Sequence, residues 1–103
     1  MLKGHLDALL LGALEQGPAH GYAIVKTVRQ RSGDILELAE GTAYPALHRL
    51  ERRGLVESEW SDAAGRKRRV YHLTRRGRVA LVREREDWRR FAHGMRAALG
   101  EIG

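Results

Sequence analysis

Apolar residues recur along this chain with two different periods, and the change from one to the other divides it. In residues 2–15, Leu2, Leu6, Leu9 and Ala13 form one helical stripe, and Leu10, Leu11 and Leu14 widen it. That arc is wider than a small core requires, so part of it is expected either against a second chain or buried deeply within its own. Gly17-Pro18 ends the helix and turns the chain. A second helix is predicted from His20 or Gly21 to Arg31, with Ile24, Val25 and Val28 inward and Tyr22 and Lys26 on another face. Ser32-Gly33-Asp34 then reads as a turn, and residues 35–38 as an apolar bridge short enough to be a brief strand.

A third helix is predicted over residues 43–53. Thr42 is its expected N-cap, Pro45 is expected in the first turn where a missing N–H costs nothing, and Gly54 is the left-handed residue that ends it. At 100° per residue Ala43, Leu47 and Leu50 gather on one side. Pro45, His48, Arg49 and Arg52 gather on the other, with Tyr44 on the flank. A short helix with a narrow apolar stripe and a basic outer face suits the DNA major groove; a solvated surface helix would look the same in isolation.

After Gly54 the period falls to two. Val56, Ser58 and Trp60 share a face of one strand, Tyr71 and Leu73 share a face of the next, and residues 61–68 form the tip between them. Helix, helix, link, helix and hairpin is the order of a winged helix-turn-helix. Thr74 caps a last helix running from Arg75 towards the C-terminus. Leu81, Trp88, Met95 and Ile102 recur every seven residues there, Phe91 and Ala98 fill the intervening positions, and Glu84 is the polar exception. Such a seam predicts packing on another helix, and a second copy of the chain is the expected partner. The predicted fold is therefore mostly α with a small β-hairpin: a winged helix-turn-helix over residues 1–73 and a dimerisation helix over 74–103.

Charge sharpens this picture. Residues 62–78 hold seven basic side chains against Asp62 alone, which accounts for the whole formal excess of +6 in the 103-residue chain. A basic excess confined to one segment is the footprint of a nucleic-acid contact. An anionic membrane would instead call for cations sharing an amphipathic helix with large apolar residues, and Arg66, Lys67, Arg68 and Arg69 have none beside them. There is no cysteine, no histidine pair at ligand spacing, no phosphate loop and no nucleophile with a base. An enzyme, a metal and a cofactor are therefore not expected. No apolar run spans a bilayer and no leader pattern is present, so a cytoplasmic location is expected.

The sequence resembles the PadR-like family of bacterial transcriptional regulators, in its short branch without a separate C-terminal domain. The resemblance rests on His20-Gly21-Tyr22, on residues 41–51 with Gly54-Leu55 and Trp60, and on Arg69, Tyr71, Leu73-Thr74, Gly77-Arg78 and Trp88. It implies a homodimer joined through the first and last helices that represses by binding operator DNA. It also implies that some short members bind flat, apolar or aromatic compounds at the dimer interface, against a tryptophan of the last helix. Trp88, fourteen residues after Thr74, stands at that position, where packing between subunits is the other role open to it.

Taken together, the expected DNA contacts are Tyr22, Thr42, Tyr44, Pro45, His48, Arg49, Arg52, Arg66, Lys67, Arg68 and Arg69. Tyr44, Pro45, His48 and Arg49 are expected nearest the base edges, and Arg52 nearer the backbone. The expected dimer contacts are Leu6, Leu10, Leu81, Trp88, Phe91, Met95 and Ile102. Two half-sites one helical turn apart would make the operator an inverted repeat. The rival from another class is a winged helix that binds protein or RNA and shows no preference among duplex sequences.

Overall fold

A computed structural model describes residues 2–62 and 65–101, with side-chain surroundings from residue 5 onward. The elements run α1 (Leu2–Ala13), β1 (Ala19–His20), α2 (Gly21–Arg31), α3 (Glu40–Arg52), β2 (Val56–Ser61), β3 (Arg68–Leu73) and α4 (Arg75–Ala98). Ala63 and Ala64 of the expected hairpin tip, and Ile102 of the expected dimer contact, lie outside the described residues, as do the surroundings of the Leu2 side chain.

The hairpin forms as its alternation predicts, with β2 and β3 antiparallel from Val56 opposite Leu73 to Ser61 opposite Arg68. A third strand joins it. Ala19 pairs with Tyr71 and His20 with Val70, giving the order β1-β3-β2. Two residues are too few to carry a period, so β1 was invisible to pattern reading. Residues 35–38 form no strand: Leu38 is buried, whereas Ile35 is 83% exposed.

α3 starts earlier than its capping residue suggested. Ala39 is the N-cap and makes no side-chain bond, while Thr42 lies inside the first turn, its N–H donating to the Ala39 carbonyl at 3.0 Å. Glu40 replaces a hydroxyl cap electrostatically, because a carboxylate in the first turn complements the helix dipole. Pro45 consequently sits in the second turn, where its missing N–H does matter: the Gly41 carbonyl, four residues back, has no helical donor. The C-terminus is as expected. Gly54 has φ +76°, and the Leu55 N–H reaches back to the Leu50 carbonyl at 3.0 Å.

The core gathers Leu10 and Leu11 from α1, Leu14 from the turn after it, Ile24 and Val28 from α2, Ala43, Ala46, Leu47 and Leu50 from α3, and Val56, Tyr71 and Leu73 from the sheet. Much of the described arc of α1, from Leu6 to Leu14, is thus buried within the chain. Three residues expected between subunits, Leu6, Leu10 and Leu81, are buried in this same core, so none offers a free surface to a partner. Antiparallel packing of α1 and α4 is the reason: Gly12 meets Leu81, and His5 meets Trp88 and Phe91 at ring-centroid distances of 5.0 and 5.7 Å. A two-pronged bond from Arg85 to Glu15, at 2.6 and 2.9 Å, fastens the pair. Further along α4 the stripe emerges, leaving Trp88, Phe91, Met95 and Leu99 between 40% and 67% exposed.

Candidate nucleic-acid interface

The outward surface of α3 is opposite its buried residues, as a 3.6-residue period requires. Pro45, His48 and Arg52 are exposed there, and Thr42 and Tyr44 flank them. Beside it, the strands lift the wing, and a cleft of about 600 Å³ opens between wing and helices. Its walls include Tyr22, Tyr44, His48 and Trp60 together with Arg66, Lys67, Arg68 and Arg69. The fold therefore gathers most of the expected contacts on one face, from three separate stretches of chain.

Not all of these cations are equally available. Arg66 and Lys67 are exposed and make no ion pair among the described residues. Arg69 is engaged: its Nε donates to Ser58 Oγ at 2.8 Å, Glu51 is 3.9 Å away, and the guanidinium lies 5.2 Å over Trp60. Arg49 points to the other flank, where its Nη2 donates to Asp7 of α1 at 2.8 Å. Arg49 thus stands at the edge of the outward face, exposed but paired with α1.

Arg68 is a special case. Its Nη1 stands 2.7 Å from Nε2 of His20, whose Nδ1 accepts the Ala23 N–H as the N-cap of α2. A neutral imidazole accepts at one nitrogen only, so the ring serves either the Ala23 N–H or the Arg68 guanidinium, and the two compete for it. The same geometry holds the His20 pKa below its ordinary value, first through burial and then through the Arg68 charge, with Glu40 opposing.

The unfolded chain takes up this proton at a higher pH than the folded one, so stability should fall as pH drops below about 6.5, the ordinary histidine value. His20→Asn keeps a capping side chain without the titration. Its urea-unfolding midpoint should lose the part of that pH dependence due to residue 20.

Gly21 has a role that its sequence does not announce. A Cβ there would stand 2.5 Å from the Tyr44 ring, so Tyr44 of α3 lies directly on the backbone of α2. Gly21→Ala must push that ring off its seat. Duplex affinity is expected to fall about tenfold, roughly one polar contact's worth, while the far-ultraviolet circular dichroism stays helical. The check is a titration of labelled duplex beside the spectrum.

Comparison with known proteins follows from this geometry. The model of the transcriptional regulator PadR-like family matches residues 10–83.

The chain belongs to the PadR-like family of transcriptional regulators.

It is a regulator and not an enzyme. A PadR family transcription regulator from Clostridium difficile is 36% identical with a TM-score of 0.82, over 94% of this chain and all of that one. A transcriptional regulator of Mycobacterium tuberculosis is 52% identical over 48 residues, 47% of this chain and 45% of its own length. PadR of Bacillus subtilis, solved in complex with operator DNA, is 25% identical with a TM-score of 0.68; the match covers 81% of this chain and 45% of that larger one. These PadR-like neighbours share the helices and wing described above. No described helix is long and apolar enough to cross a membrane.

Proposed function

We propose that this chain is a homodimeric, sequence-specific DNA-binding repressor that occupies an inverted-repeat operator. The observation that carries the reading is the adjacency of the outward face of α3 and the unpaired wing cations Arg66 and Lys67 around one cleft. That a PadR relative has been solved on its operator supports it. α3 enters the major groove, with Tyr44, Pro45, His48 and Arg52 towards the duplex and the Gly41 carbonyl as an extra acceptor. Tyr22 and the wing meet phosphates, which position the protein without reading sequence. Residues 1–73 form the reading unit, and the outer part of 74–103 joins two copies.

The dimer contact is the exposed portion of the last helix: Trp88, Phe91 and Met95, with Leu6, Leu10 and Leu81 supporting it from within. Replacing Trp88, Phe91 and Met95 with serine should yield a folded monomer in light scattering; a persistent dimer would move the contact elsewhere. An apolar cavity of about 690 Å³ beside Trp88, lined also by His5, is the seat for a flat effector. An effector acts here by binding better to a dimer whose half-site spacing does not suit DNA.

Footprinting on the DNA upstream of the chain's own gene, with excess random competitor, tests the reading. Protection of an inverted repeat at roughly 10 nM protein or below is expected. Uniformly weak binding that competitor abolishes would favour the protein- or RNA-binding alternative.

A further inference from the structure

The flank of α3 that faces α1 carries a charge arrangement unlike that of its outer face. Arg49 and Arg53, one turn apart, both reach Asp7: Nη2 of Arg49 donates to Oδ1 at 2.8 Å, and Nη1 of Arg53 to Oδ2 at 3.0 Å. One carboxylate thereby occupies two arginines of the helix that faces the duplex, using both of its oxygens. Neither arginine has another ion-pair partner among the described residues, and both remain about half-exposed at 47% and 55%, whereas Asp7 is 24% exposed. Both side chains are therefore long enough, and open enough, to turn elsewhere if the carboxylate charge were absent.

Resting on the DNA reading above, we propose that Asp7 limits sequence-independent binding by withholding Arg49 and Arg53 from the phosphate backbone. Cations that meet phosphates add affinity to every duplex alike, whereas discrimination comes from base edges. Two further arginines beside α3 would raise binding to random and operator DNA alike, and so strengthen the sequence-independent part of the affinity. Asp7 neutralises them at the cost of a half-exposed ion pair, which adds little to folding stability, so the charge can be removed without dismantling the fold. The wing, whose Arg66 and Lys67 lack such partners, is left to supply the sequence-independent attraction. The two halves of the interface are thereby given different tasks: the wing holds the backbone, and α3 is kept from doing so on its α1 flank.

The test is Asp7→Asn, which preserves shape and removes charge. Affinity for a random duplex is measured between 50 and 300 mM salt, beside affinity for the footprinted operator. The variant should bind random DNA more tightly at low salt, with its log–log salt slope steeper by about 1–2 per subunit, since each neutralised phosphate contributes about 0.9. Its affinity for the operator should rise in parallel, leaving the operator-to-random ratio within about threefold of native. Asp7→Glu should restore the native slope, and Arg49→Gln with Arg53→Gln in the Asp7→Asn background should return it towards native. An unchanged slope, or an equal loss of affinity for every duplex, overturns the proposal. So does a shallower slope for Arg53→Gln in the otherwise native chain, which would mean that Arg53 already meets a phosphate; this variant leaves Asp7 in place and serves even if Asp7→Asn fails to fold. Should the native protein bind no duplex with salt dependence, the DNA reading itself fails, and that outcome is read from the native protein alone.

Discussion

Gly77→Ala is expected to destabilise the fold by about 3 kcal/mol, lowering the melting temperature by roughly 12–24 °C. A Cβ at this position would stand 2.0 Å from the Leu55 carbonyl oxygen and 3.0 Å from its carbon. The obstacle is backbone, and that backbone is held. The Leu55 carbonyl accepts the Thr74 N–H at 3.2 Å, and the Leu55 N–H closes the end of α3. Thr74 Oγ1 meanwhile donates to the Gly54 carbonyl at 2.7 Å and accepts the Gly77 N–H at 3.0 Å. Any retreat of α4 breaks its own cap and its tie to α3, so the strain has no inexpensive outlet. Gly94→Ala is the control, because a Cβ there meets nothing and a helical alanine gains about 1 kcal/mol over glycine. Thermal circular dichroism of the two variants measures both effects, and a Gly77→Ala melt within ~3 °C of native would contradict the first.

Removal of the wing charges should have the largest effect on binding. With Arg66 and Lys67 both alanine, the salt slope for any duplex should flatten by about 1.8 per subunit, at about 0.9 per phosphate. At 50 mM salt the affinity loss should be on the order of a hundredfold, similar for operator and random DNA, because phosphate contacts carry no sequence information. Adding Arg68→Ala should flatten it further, since Arg68 lines the same cleft as Arg66 and Lys67. Arg69→Ala should do less, for Arg69 is engaged by Ser58 and lies over Trp60. Fluorescence anisotropy across a salt series separates these variants. An unchanged slope in the double variant would falsify the assignment of the wing.

The comparison of Arg66 with Arg69 marks where sequence reading stops. The run of four cations is visible as a run, and its position after a helix identifies it as a wing. Which members face solvent depends on strand register: Arg69 opposes Trp60 across the ladder, and Arg68 is brought to His20 by the neighbouring strand β1. The first and last helices give the same lesson. Their apolar stripes are legible, but Leu10 and Leu81 could have faced a second copy until the packing of α1 on α4 turned them inward.

What the sequence determined by itself is whatever neighbours within a turn or a strand decide. The helices follow from apolar spacing, the end of α3 from Gly54, the start of α4 from Thr74, and the hairpin from alternation. Thr42 misled because a hydroxyl is only one way to start a helix, and Glu40 with the extended Ala39 began α3 earlier. Tertiary structure alone decided the contacts between distant segments: Asp7 with Arg49 and Arg53, Gly21 beneath Tyr44, Glu15 with Arg85, and the β1 strand against β3. Local preference is an energy between residues a few positions apart, so a linear pattern records it. Pairings between segments far apart in the chain are selected by how the layers close around the core, and no single segment holds that information.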